Sequence, residues 1–198
     1  MIPRQFFITV TVLFVLTIAM SVYVWQLRRR ESRSPRLPEK TEHVAPPNSG
    51  SMEQVTVYVA YDTPGELREK SLSIALAAGR QQRAEGLLRA LISLYTAKDS
   101  SHPMASGAEI RQVFLVDPGL AVIDVNSAFV EGQISGVLPE ELTIASLVQT
   151  LATNIPELTR VKILVDGKEQ ETLAGHADLS GFYDVRQIAE VTKELSPQ

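Results

Sequence analysis

Residues 142–179 read LTIASLVQTLATNIPELTRVKILVDGKEQETLAGHADL, and this stretch decides the fold. Ile144, Leu147, Val148, Leu151 and Ile155 recur at i, i+3, i+4, i+7 and i+11, the spacing of one buried helical face. Pro139, Glu140 and Glu141 open that helix, with carboxylates in the first turn where the positive end of the helix dipole favours them. The helix is expected to stop near Asn154, ahead of Pro156. In residues 160–165, Val161, Ile163 and Val165 alternate with Lys162 and Leu164, the period of a strand. Asp166 and Gly167 form a hairpin-turn dipeptide, so residues 170–173 are expected to return along the strand. A helix is thereby tied to a sheet, with Ile144, Leu147, Val148, Leu151, Val161, Ile163 and Val165 as its core.

Upstream, Val55, Val57 and Val59 alternate with Thr56 and Tyr58 as a strand with one face buried. A turn at 62–65 and a shorter alternation through Leu72, Ile74 and Leu76 follow. Over residues 81–95 the period changes. Ala84, Leu87, Leu88, Leu91, Ile92 and Tyr95 share one helical face, and Arg83, Glu85 and Arg89 lie opposite. Gly86 within this helix costs about 1 kcal/mol relative to Ala, which suggests a close approach of helix to sheet. The polar loop 98–107, with His102, is expected at the surface and carries no assigned chemistry. Runs 109–116 and 120–125 flank Asp117, Pro118 and Gly119 and predict an antiparallel hairpin. Asp124 lies near the end of the second run, where a carboxylate can be a metal ligand or general base but most simply caps the turn at Asn126 and Ser127.

The N-terminus is of another kind. Residues 6–27, FFITVTVLFVLTIAMSVYVWQL, contain no charge. At about 1.5 Å per residue they can cross a hydrocarbon core of about 30 Å. Tyr23 and Trp25, followed by Arg28, Arg29 and Arg30, favour a retained transmembrane anchor over a cleaved signal peptide. Residues 31–52 are polar and proline-containing, and read as a linker. Residues 1–40 carry seven Lys/Arg against two Asp/Glu, and residues 41–198 twelve against twenty-one, so +5 is followed by −9. An acidic domain repels phosphate backbones, and no nucleic-acid partner is expected. The absence of cysteine excludes disulfides, thiolate metal sites and a lipidated cysteine. The division is therefore 1–30 membrane anchor, 31–52 linker, 53–185 folded domain and 186–198 tail or short helix.

In order, the elements predict an α+β fold: a mostly antiparallel sheet with two helices packed on one face, preceded by one transmembrane helix. Residues 55–178 resemble the GerM domain family of sporulation and germination proteins. The resemblance lies in VTVYVA, DPGLAVIDVNSAF, LTIASLVQTLATNIPEL and VKILVDGKEQETLAGHADL, taken in that order, with AGHADL the most specific piece. It implies a domain similar to the ring-building modules of secretion and sporulation complexes, without established catalytic residues or a cofactor. It also implies an exported or membrane-tethered domain on the outer side, which with the run 6–27 gives a single-pass cytoplasmic-membrane protein, whereas the arginine count after residue 27 favours the cytoplasmic side.

Three functions follow as expectations. The first is a non-catalytic envelope module, partnered by the membrane through its anchor and by a second copy or another envelope protein. The second is an enzyme gathering His176 and Asp178 with Asp124 or Asp166 as a metal or acid–base cluster. The positions singled out, Asp124, Asp166, Gly167, Gly175, His176 and Asp178, more simply shape turns. No G-x-S-x-G, G-x-x-x-x-G-K-[ST] or G-x-G-x-x-G occurs, which argues against a nucleophile elbow and the two phosphate cradles. The third is recognition of a small envelope ligand such as a glycan, beside Tyr58 or beside Phe182 and Tyr183.

Overall fold

The computed structural model describes residue 20, residues 51–116 and residues 118–194. The expected anchor helix at 6–27 and linker at 31–52 lie outside the described residues, save Met20, Ser51 and Met52. Among the described residues no helix is long and apolar enough to cross a membrane. The chain divides into two units, Met1–Pro46 and Pro47–Gln198. The second has the following architecture.

Strands β1 (Met52–Tyr61) and β2 (Glu66–Ala75) form an antiparallel two-stranded sheet, in register from Met52↔Ala75 to Tyr61↔Glu66. Val55, Val57 and Val59 are buried, as their alternation requires. β2 begins earlier than its apolar residues announce. Glu66, Arg68, Glu69 and Lys70 fill its first half, and Leu67 alone is buried there.

Helix α1 (Arg80–Tyr95) buries Ala84, Leu87, Leu88, Leu91, Ile92 and Tyr95, the six residues of the predicted face. It contacts β1, β2 and β3, and so lies against both sheets. Strands β3 (Ile110–Val116) and β4 (Leu120–Val125) form the expected hairpin. The short helix α2 (Ser127–Glu131) and the long helix α3 (Val137–Asn154) then lead to β5 (Arg160–Val165).

Two expectations are corrected here. The strands form two sheets rather than one, and the second, ordered β3-β4-β5-β6, is mixed because β4 and β5 run parallel. Parallel neighbours need a long crossover, and α2 with α3 supplies it. Residues 170–173 also form no strand. Asp166 and Gly167 adopt φ 50° and 73° and make the tight turn, but beyond Val165↔Lys168 only an isolated bridge, Thr172↔Asp178, remains. Leu173 and Leu179 are fully buried, and burying them draws the loop away from the β5 edge. That edge is taken by β6 (Tyr183–Asp184), whose Tyr183 pairs with Val161. Helix α4 (Val185–Glu194) closes the described chain, with Asp184 Oδ1 accepting the Arg186 and Gln187 amides at its start.

The four-stranded sheet has two unlike faces. Val113, Ile123 and Ile163 stand in one row, wholly buried. Phe114, Val122 and Lys162 stand in the next, and on that side Phe114 and Val116 are exposed.

Candidate functional site

The site begins with a buried charge on α3. Glu140 is fully buried, and an isolated carboxylate there would be costly. Its Oε2 accepts the amides of Ala174 (3.0 Å), His176 (2.9 Å) and Ala177 (2.8 Å). Its Oε1 accepts the Gly136 amide at 3.1 Å and faces His176 Nδ1 at 2.9 Å. Burial alone pushes the carboxyl pKa up. The Ala177 amide, the His176 ring and the Ala174 and His176 amides outweigh that and hold it at about 2. Gly175 takes φ 116° between these donors, a conformation suited to glycine. The AGHA run is thus wrapped around one anion.

Next to this clasp is a cavity of about 450 Å³ lined by Glu141, Ile144, Ala145, His176, Ala177, Asp178, Tyr183, Ile188 and Val191. Asp178 Oδ1 accepts the Ser180 amide (2.7 Å) and hydroxyl (2.6 Å), and these bonds lower its pKa. The Tyr183 hydroxyl donates to the Asp178 carbonyl at 2.5 Å. Burial, with Asp178, Glu140 and Glu141 nearby, pushes the phenol up to about 12, so it stays neutral.

His176 and Asp178 therefore meet at one cavity, whereas Asp124 and Asp166 are not in its lining. These two act at the ends of the parallel strands. Asp124 Oδ1 accepts the Gly167 amide at 2.7 Å, capping the turn after β5 rather than the turn after its own strand. Asp166 Oδ2 in turn accepts the Ser127 amide at 3.2 Å, beside Asn126, which caps α2 through the Phe129 amide. Each aspartate thus caps the turn that follows the neighbouring strand. Arg111 spans both, 2.7 Å from Asp166 Oδ1 and 3.7 Å from Asp124 Oδ2. No group of three potential metal-ligating side chains occurs among the described residues.

His102 is also corrected, from surface loop to core. Its Nδ1 lies 2.6 Å from Asp62 Oδ1 and its Nε2 2.7 Å from Thr143 Oγ1, with the ring edge-on to Tyr95. The order Asp, His, Thr has the form of a nucleophile triad. Thr143 is nevertheless fully buried, and its hydroxyl also meets Gln133 Oε1 and the Pro139 carbonyl, so no substrate reaches it.

Sequence reasoning also missed a polar stripe on α3 formed by Thr143, Ser146, Thr150 and Asn154. Ser146 Oγ donates to Tyr58 O (2.7 Å), Thr150 Oγ1 accepts the Tyr58 amide (2.9 Å), and Asn154 Nδ2 donates to Thr56 O (2.7 Å). The Tyr95 hydroxyl accepts the Ala60 amide at 2.9 Å and lies 2.5 Å from Ser146 Oγ. The β1 edge away from β2 is thereby hydrogen-bonded by side chains. Its signal was a polar row at i, i+3, i+7 and i+11 in a helix otherwise apolar on several sides.

Comparison with known proteins follows this architecture. A model of the Germane family, described as sporulation and spore germination, matches residues 53–171. The chain belongs to this family, and its domain is of the GerM type. Among solved structures it resembles a candidate lipoprotein from Clostridium perfringens, at 17% identity and a TM-score of 0.45, over 71% of this chain and 92% of that one. It also resembles the tandem GerMN domains of the sporulation protein GerM from Bacillus subtilis, at 15% identity and a TM-score of 0.48, over 69% of this chain and 48% of that one. The first GerMN domain of the same protein matches at 15% identity and a TM-score of 0.45, over 64% and 92%. No curated protein matches the chain.

Proposed function

We propose that this protein is a membrane-tethered, non-catalytic module of the cell envelope, with its domain on the outer side of the cytoplasmic membrane, and that it self-associates there. Membership of the Germane family supports the envelope setting, and the uncharged run 6–27 supports the tether. The family motif AGHADL supports a structural rather than a chemical role, because its amides and the His176 Nδ1 are spent on Glu140.

The observation that carries self-association is the second face of the four-stranded sheet. Exposed Phe114 and Val116 adjoin half-buried Leu120 and Val122 across the hairpin, and contiguous exposed apolar side chains mark contact surfaces. The β1 edge is closed by α3, so this face and the outer edges remain for a partner.

The chain has no cysteine, which makes the test direct. Single cysteines placed at Phe114 and Val116 in the full-length protein in membranes are expected to crosslink to a second copy, and a cysteine at exposed Glu171 is not. A reporter fused to the C-terminus is expected to be active only outside the cytoplasm. Crosslinking to a different envelope protein would replace self-association with a heterologous partner. No adduct at either position would remove the assembly reading.

A further inference from the structure

We propose that the cavity between α3, the 174–178 loop, β6 and α4 binds an organic cation, an alkylammonium or guanidinium group on a short aliphatic stem. Its polar lining supplies acceptors in Glu141, Asp178 and Tyr183. The Glu140 carboxylate is ionised and only accepts, so His176 Nδ1 carries the proton between them. Asp178 retains Oδ2 beyond the two Ser180 bonds made by Oδ1. The Tyr183 hydroxyl gives its only proton to the Asp178 carbonyl and can otherwise only accept. Glu141 is exposed at the mouth, and its carboxylate is available to a ligand.

The carboxylates of the lining, Glu141 and Asp178, are negative as well. Residues 137–154 and 174–184 include Glu140, Glu141, Asp178 and Asp184 and no Lys or Arg. Arg186 and Lys193 of α4 do not line the cavity, and Lys162, whose charge reaches Asp178, is held outside the lining by the Leu179 and Ser180 carbonyls. An anion would meet the carboxylates of Glu141 and Asp178. A metal ion would need a third ligating side chain that the described residues do not gather. Ile144, Ala145, Ala177, Ile188 and Val191 form the apolar remainder, which suits a stem of several methylenes, and about 450 Å³ is the volume of a small-molecule site. An ammonium brings three donors and a guanidinium five, matching the lining in charge and in hydrogen-bond sense.

This inference does not depend on self-association. The group can arrive on a free diamine or on a lysine side chain of a polypeptide, and the test separates them. The full-length protein in detergent is titrated calorimetrically with cadaverine, with N-acetyl-lysine amide, and with pentanol and pentanoate. Both amines are expected to bind saturably with dissociation constants on the order of 1 mM, and the neutral and anionic analogues are not. Glu141→Gln is expected to weaken both amines about tenfold, and Val191→Trp, which fills the mouth, to block them. Tighter binding of the lysine amide assigns the cation to a polypeptide, and tighter binding of cadaverine to a free amine. The proposal is overturned if neither amine saturates at concentrations on the order of 10 mM, if pentanol binds equally well, or if Glu141→Gln changes nothing.

Discussion

Helices α1 and α3 are both long and amphipathic by sequence, yet their polar residues live in different media. α1 buries six residues on a single face. Its polar side reaches outward, with Arg83 on Glu53 and the Asn154 carbonyl, Arg89 on the Ile110 and Arg111 carbonyls, and Glu85 beside Arg89. α3 buries ten residues, of which Glu140, Thr143, Ser146 and Thr150 are polar. It contacts β1, β2, α1 and α4, and has almost no solvent side. A polar residue on α1 reports the protein surface. On α3, Glu140, Ser146 and Thr150 each report a backbone group elsewhere that needs a partner.

The sharpest way to break this comparison is to remove a carboxylate from each helix. Glu140→Ala strips the buried acceptor from four backbone amides and from the His176 ring, and is expected to cost about 3–5 kcal/mol. Glu85→Ala loses an ion pair with half-exposed Arg89 and a 3.4 Å contact to the Val113 amide, and is expected to cost less than about 1 kcal/mol. Urea unfolding of the full-length protein, followed by circular dichroism, measures both. Equal losses would mean that the clasp contributes no more than a surface pair.

Acid tests the same carboxylate without mutation. The folded pKa of Glu140, about 2, lies below its ordinary value of 4.5. The stabilisation is therefore complete above about pH 5 and is lost as pH falls from 4.5 through about 2, below which both states are protonated. The separation corresponds to about 3 kcal/mol. In Glu140→Ala the fall in stability over that pH window is expected to be shallower by this amount. Parallel curves for the two proteins would place the acid sensitivity elsewhere.

A smaller effect is expected at the stripe. Thr150→Val preserves shape but leaves the Tyr58 amide without its acceptor, and is expected to cost about 1–3 kcal/mol. Thr96, which ends α1, bonds only carbonyls of its own helix, and Thr96→Val there is expected to change stability by less than about 1 kcal/mol. A neutral Thr150→Val would show that water satisfies the β1 edge.

What the sequence made legible follows this division. The buried face of α1, the apolar face of α3, the β3–β4 hairpin and β5 were readable because their large apolar residues recur at the period of the element. β2 was half-readable, since a strand in a two-stranded sheet buries only alternate residues and Glu66 to Lys70 look like loop. The fate of residues 170–173 was not readable. Asp166 and Gly167 specify a turn, but whether a strand follows depends on Glu140, thirty residues upstream in sequence, pulling 174–177 onto α3. His176 and Asp178 lie two apart in sequence and line one cavity, while the exchange of caps between Asp124 and Asp166 depends on parallel neighbours that hydropathy cannot reveal. Glu140 looked like a helix-dipole residue because its actual partners are backbone amides, which no side-chain pattern announces.

Gly86 gives the finest test of how closely α1 approaches its sheets. Its place inside a helix suggested that a side chain would not fit. A Cβ there would meet only Ile74 Cδ1, at 3.8 Å, which is ordinary van der Waals contact, so Gly86→Ala should fit without displacing either element. The alanine lowers the conformational entropy of the unfolded chain and is expected to stabilise the protein by about 0.5–1 kcal/mol. Gly132 after α2 is the contrasting case, because a Cβ there would lie 2.2 Å from Ala105 Cβ and 2.8 Å from the Ala105 amide nitrogen. The same substitution at Gly132 is expected to destabilise, since backbone must move. Opposite shifts in urea midpoint for the two alanine variants, at unchanged denaturant slope, would establish that the helical glycine is a tolerated weakness and the loop glycine a steric requirement. A loss at Gly86 would instead mean that α1 and β2 pack more tightly than a methyl group allows.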